Sequence, residues 1–141
     1  MSYYYNYCVT IYLPVEQRPH ELRVEITSDG KDYVALYKTF KLENEADNYR
    51  IRLGTATSSI DDGTGNSGLS FHNNAGFSTF DRDNDKCHSH CAVTLKCGWW
   101  FKCCHCSKLN AQWKDGRAQD AWYNGTKWMS ATRTEMKIRP L

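Results

Sequence analysis

Hydrophobic and polar residues alternate most cleanly over residues 21–27, ELRVEIT. Leu22, Val24 and Ile26 fall on one side there, and Glu21, Arg23 and Glu25 on the other. A period of two with one apolar side marks a half-buried strand. Asp29-Gly30 follows as a tight-turn signal. The segment DYVALYKTFKL then reads as a second strand, so the two predict a hairpin. NYRIRLG, residues 48–54, predicts a third strand with Tyr49, Ile51 and Leu53 on one face. Between the second and third, KLENEADN suits a helical turn or a loop.

From Thr55 to Gly76 the composition shifts to Gly, Ser, Asn and Asp, which is loop chemistry, with Gly63, Asn66 and Gly68 marking turns. Beyond Asp81 no helix or strand period is sustained until TEMKIRP near the end. A long irregular segment needs fixing by something other than a backbone ladder, such as a bound ion or a disulfide. There is no internal repeat and no low-complexity tract.

At 141 residues the chain is one domain by default and can bury a core without metals or disulfides. Net charge is +2 and the 18 basic residues are scattered, which argues against nucleic acid as a partner. Apolar runs are too short to span a membrane. The opening MSYYYNYCVTIYLPVEQ lacks a basic n-region, and Tyr and Asn break its apolar stretch, so it is not a secretory signal. Taken literally that argues for a cytosolic protein; the alternative is a sequence that starts partway into a longer secreted one.

Seven cysteines change the picture: one is Cys8 and the rest crowd between Cys87 and Cys106. Such crowding means a local staple or a metal site, and the odd total leaves a thiol over if the others pair. In the stretch DRDNDKCHSHC, Asp81, Asp83 and Asp85 are hard oxygen ligands, while Cys87, His88, His90 and Cys91 are soft ones. It is not an EF-hand, because Lys86 stands where the turn glycine belongs and Ala92 where the bidentate glutamate belongs. Calcium in an Asp-x-Asp loop and a solvated acidic turn remain even readings on spacing alone. For zinc, Cys87 and Cys91 with Cys103 and Cys106 offer two ligand pairs, and His88, His90 and His105 add candidates. In a cytosolic chain zinc would rank above disulfides. Asn124-Gly125-Thr126 is a glycosylation sequon, usable only on a secreted chain.

The wider sequence is more specific. HELRVEI, EADNYRIRLG, FSTFDRDND, CAVTLKCGWWFKCCHCSKLN and TEMKIRP, in this order, resemble the C-terminal fibrinogen-like domain of ficolins, tachylectins, angiopoietins and fibrinogen chains. The resemblance runs from about residue 19 to the end. It implies an α+β fold: a small twisted antiparallel sheet over about residues 19–80, then a long irregular region over 81–141 stabilised by calcium and a disulfide. By the same resemblance Asp83 and Asp85 match the side-chain calcium ligands, and Cys87 and Ser89 match the two carbonyl ligands. Asp81 matches an acid that is not usually a direct ligand. Cys91 and Cys104 match the disulfide partners, and such a bridge is worth ~3 kcal/mol by chain-entropy reasoning. The ligand pocket lies beside the calcium. Cys104 and His105 match its floor, the peptide bond from Cys103 to Cys104 matches a cis bond, and Leu95, Trp122 and Tyr123 match its walls.

The chain departs from that pattern in four places. The N-terminal third of the domain, with its own disulfide, has no counterpart, which would leave the Leu22–Leu53 sheet an open edge. KWMSATRTEMK is short, missing a Trp and a pocket Tyr. Leu95 stands where lectin-like members carry an aromatic and fibrinogen an acid, and Tyr123 where a small residue or Asp is common. Cys87, Cys97, Cys103 and Cys106 are extra; Cys97 paired with Cys87 or Cys106 is one arrangement, and zinc on Cys87, Cys103, His105 and Cys106 another. Trp99, Trp100 and Trp128 read as core, and Asp61, Asp62, Asp115 and Asp120 as loop charges. No nucleophile–base–orienter set stands out, so an enzyme is not expected.

The resemblance therefore implies a secreted, calcium-dependent module that binds acetylated carbohydrate or glycoprotein in innate immunity. The alternatives are a receptor-binding module, or a truncated remnant that has lost its ligand. Neither nucleic acid nor a membrane span enters this expectation, and oligomers would form through the missing N-terminal regions.

Overall fold

The computed structural model describes residues 18–60 and 67–141. Cys8, the Asp61-Asp62 turn and the turns at Gly63 and Asn66 lie outside the described residues.

The alternation at the start of the chain builds β1 (His20–Ser28), and Lys31–Leu42 forms β2. Asp29 and Gly30 connect them with φ of 49° and 73°. Two successive positive φ values are what a two-residue hairpin turn requires, which explains why Asp-Gly sits there. Leu22, Val24 and Ile26 are buried on one side of β1, each worth about 2 kcal/mol relative to exposure.

The third strand is shorter than expected: β3 is Ile51–Leu53 and excludes Tyr49. The cause lies just before it. Asn44 caps a single 3-10 turn, Glu45–Asp47, by accepting from the Asp47 N–H, and Asn48 and Tyr49 both leave that turn at positive φ. That geometry turns the Tyr49 ring outward, and its carbonyl accepts the Trp100 indole N–H at 2.9 Å. The Gly/Ser-rich stretch is not all loop: β4 (Ala56–Ser58) pairs with β2, and Ser70–His72 is a 3-10 turn.

Past Asp81 the chain is more ordered than its periodicity suggests. It forms α1 (Cys91–Leu95), β5 (Trp113–Lys114), β6 (Arg117–Tyr123) and β7 (Trp128–Ala131) before β8 (Arg133–Pro140). These elements are short, and β6 is irregular: its pairing with β7 shifts between Ala118 and Trp122, and Asp120 has φ 48°. A bulge moves side chains to the opposite face, so alternation does not survive it. β5 and β6 are joined by Asp115-Gly116 at φ 52° and 73°, the same turn chemistry as in the first hairpin.

Two antiparallel sheets result, with orders β3-β2-β1-β8, β4 also pairing β2, and β5-β6-β7. β8 returns from the C-terminal region to lie along β1, from His20 opposite Pro140 to Thr27 opposite Arg133. The sheets are stitched where Ser28 Oγ donates to the Ser130 carbonyl at 2.8 Å and the Thr132 N–H to that of Thr27 at 2.8 Å. Their shared core contains Leu22, Tyr37, Ile51, Leu69, Phe101 and Trp122.

Candidate binding site

Residues 81–90 form a loop without regular structure, held by its own short polar side chains. Thr79 donates to Asp81 at 2.6 Å, and this bond holds the Asp81 carboxyl below its ordinary range. The Asn84 side chain donates to the Phe77 carbonyl, and His90 Nε2 lies 2.9 Å from that of Thr79. Asp83 Oδ1 accepts from Asp85 N at 3.1 Å. Asp85 accepts from Cys87 N at 2.8 Å and from Cys91 N, at the start of α1, at 2.9 Å. A carboxylate oxygen that accepts one hydrogen bond keeps a second lone pair. Among the described residues no hydrogen bond reaches the carbonyls of Cys87 or Ser89. Two carboxylates and two free carbonyls on one irregular loop are a donor set that fits a hard divalent cation.

Two disulfides tie this loop to the segment before His105. Cys91 and Cys104 are joined (S–S 2.09 Å), as are Cys87 and Cys103 (2.00 Å). The bond from Cys103 to Cys104 is cis. This pairing corrects both arrangements considered for the extra cysteines. Cys87 is bonded to Cys103 and not to Cys97. The zinc set is lost too, because a sulfur held in a disulfide is not a thiolate ligand. Among the described residues the sulfurs that cluster, Cys87, Cys91 and Cys104, all belong to bridges. Cys97 is a thiol whose burial pushes its pKa up to about 11, so it is a poor nucleophile.

His105 follows the bridges and is sandwiched by aromatic rings. Its ring centroid lies 6.4 Å from Phe101, edge-on, and 4.7 Å from Trp128, tilted. Burial lowers its pKa to about 4, so the imidazole is neutral at pH 7. Its Nε2 is buried without a partner. Trp128 also packs on Tyr123, centroids 5.3 Å apart, and the two face each other across β6 and β7. The three rings form a shelf, open on the Trp128 side, where the indole is 40% exposed.

This arrangement reverses two expectations. Trp128, read as core, is exposed and stacks on His105. Trp122, read as a pocket wall, is fully buried between the sheets and presents no face to a ligand. The bulge in β6 explains the exchange, since Ala121 and Trp122 are both buried in succession and Tyr123 alone reaches the shelf. Leu95 ends α1, half-buried against the core, and Cys103 is exposed beside the loop. Trp99 and Trp100 are core, as read. Asn124 sits in the β6–β7 connection.

His72 gave no signal in the sequence, a lone histidine in a Gly/Ser/Asn-rich stretch, yet it organises the floor beneath the site. Fully buried, it has Nδ1 2.6 Å from the Trp100 carbonyl, while Nε2 accepts from Cys106 N at 3.1 Å and Ser107 N at 3.0 Å. Two donors facing Nε2 fix the proton on Nδ1. Desolvation lowers its pKa to about 3.

Residues 9–141 match the profile of a family described as fibrinogen beta and gamma chains, C-terminal globular domain. The likeness thus extends further toward the N-terminus than the motifs had indicated. Angiopoietin-related protein 7 of Homo sapiens is 39% identical over 136 residues, covering 89% of this chain and 38% of that protein. Techylectin-5A of Tachypleus tridentatus is 34% identical over 141 residues, covering 93% and 46%. The chain spans less than half the length of these relatives. Among solved structures, the fibrinogen-like globe domain of human ANGPTL6 superposes with a TM-score of 0.74 at 36% identity, covering 89% of this chain and 58% of that one.

Proposed function

Because this chain belongs to the fibrinogen C-terminal globular domain family, we propose that it is an extracellular recognition module, not an enzyme, and that it binds acetylated sugars. The observation that carries this reading is the neutral His105 ring, its Nε2 unpartnered, stacked 4.7 Å from the exposed Trp128. A rigid apolar shelf suits a sugar bearing an acetamido group. The methyl and C–H face pack on the rings. Asp83 and Asp85, with the carbonyls of Cys87 and Ser89, would hold a calcium ion. When bound, the ion would brace the loop that the two bridges tie to the Cys104-His105 segment. Two bridges also suit an oxidising compartment, which supports secretion. No helix among the described residues is long and apolar enough to cross a membrane.

The test is retention of the unglycosylated chain on immobilised N-acetylglucosamine. We expect release by the free sugar and by EDTA, and about a tenfold loss of affinity, ~1.4 kcal/mol, in Trp128→Ala. Retention indifferent to both Trp128→Ala and His105→Ala overturns the site. The similarity to an angiopoietin-related protein favours a second reading, capture of a protein receptor on the same face. It predicts binding that the sugar does not compete.

A further inference from the structure

We infer that Asn124 carries an N-linked glycan whose first N-acetylated sugar folds back onto the Tyr123–Trp128 shelf and covers it from within the same chain. Asn124-Gly125-Thr126 is the one glycosylation sequon in the sequence, and it occupies the tip of the β6–β7 hairpin. The two aromatic residues that close this hairpin, Tyr123 and Trp128, are direct cross-strand partners and are two of the three shelf rings.

The loop presents the amide in a suitable state. Asn124 Oδ1 accepts from Thr126 N at 3.0 Å and from Lys127 N at 2.9 Å, so its oxygen is tied to the turn. Its Nδ2, the atom that takes the sugar, makes no hydrogen bond among the described residues. Asn124 is half-buried, and Gly125, Thr126 and Lys127 beside it are exposed. Tyr123 OH donates to the Gly125 carbonyl at 3.2 Å, laying the phenol ring along the loop. The disulfides suit the oxidising compartment in which sequons are glycosylated. There a lipid-diphosphate-linked oligosaccharide supplies the glycan: the Nδ2–C1 bond forms, the C1–O bond to the diphosphate breaks, and the amide proton leaves with the lipid diphosphate.

A sugar on so short a tether reaches effective concentrations on the order of millimolar, enough to occupy even a weak site next to its attachment point. Its apolar face then lies on the rings that an external sugar would use. That masking step rests on the preceding reading of the shelf; attachment and contact with the rings do not.

The experiment expresses the full chain in a eukaryotic secretory host and compares it with Thr126→Ala, which keeps every shelf residue. We expect one N-glycan by intact mass, absent from Thr126→Ala. In the glycosylated chain an N-acetyl methyl resonance should be displaced upfield by the rings and return to its ordinary position in Trp128→Ala. Should Trp128→Ala fail to fold, transfer of magnetisation from the indole to that methyl in the unmutated chain makes the same test. A secreted, folded chain without glycan at Asn124, or one whose acetyl methyl is undisplaced, overturns the inference. On N-acetylglucosamine beads the glycosylated chain should be retained several-fold less than Thr126→Ala; equal retention overturns the masking. Retention of neither, with the methyl displaced, upholds the inference and instead counts against the sugar-binding reading.

Discussion

At the scale of single residues, His72 shows how one buried side chain can join segments far apart in sequence. Its ring holds the Trp100 carbonyl on one side and the Cys106 and Ser107 N–H groups on the other, so the floor of the site depends on its staying neutral. In the unfolded chain the ring takes a proton near pH 6.5, but in the fold only near 3. Between those values the unfolded state binds a proton that the folded state does not, so stability falls as the pH drops. The expected slope from His72 is ~1.4 kcal/mol per pH unit, steepest well below 6.5 and levelling off near 3. His105, also lowered by burial, adds to the slope in the same direction. Urea midpoints measured from pH 7 to pH 4 check this. A His72→Leu chain should be less stable at pH 7, because it strands three backbone groups, and should show a shallower decline on acidification. An unchanged decline in that chain would contradict the assignment.

At the scale of elements, the β1–β8 pairing works by diagonal charges. Direct partners across the ladder are alike, Glu25 opposite Glu135 and Arg23 opposite Lys137, which by itself is unfavourable. Glu25 offsets this by pairing along its own strand with Arg23 and across the ladder with Lys137 and Arg133. The Arg23 bond, then that of Lys137, holds the Glu25 carboxyl at about 2, against 4.5 ordinarily. Its stabilising contribution is present above pH 4.5 and is lost as pH falls toward 2. Glu25→Gln should therefore lower the urea midpoint at pH 7, with the deficit shrinking at high salt and vanishing near pH 2; a deficit that ignores both would point to packing instead. Elements of this kind were legible where period and turn chemistry agree, as in β1, Asp29-Gly30 and β2. β6 and β7 were not, because a bulge breaks the alternation and β7 is only four residues long. Even so, Asp115-Gly116 repeats the first hairpin's turn dipeptide and is a signal that would have located β5 and β6.

At the scale of the whole molecule, the two bridges act as one staple. Cys87–Cys103 and Cys91–Cys104 span nearly the same stretch, with sequence separations of 16 and 13. Breaking one leaves the other to hold the loop against the segment before His105. Each single removal (Cys87→Ala with Cys103→Ala, or Cys91→Ala with Cys104→Ala) should cost well under the ~3 kcal/mol that removing both costs. Urea midpoints of the two double variants and the quadruple variant check this, and additive losses would refute a shared staple. The motif resemblance led to the Cys91–Cys104 pairing. It did not lead to Trp128, because a tryptophan's exposure depends on which face of a short strand it occupies, and neighbouring residues do not encode that. The return of β8 to β1 joins residues as far apart in sequence as His20 and Pro140. Closing so long a span is slow and entropically opposed, so during translation the first hairpin must wait, its flank uncovered, until nearly all of the sequence shown has left the ribosome. A premature stop codon anywhere before residue 133 would yield an unzipped polypeptide destined for degradation, and not a smaller working version.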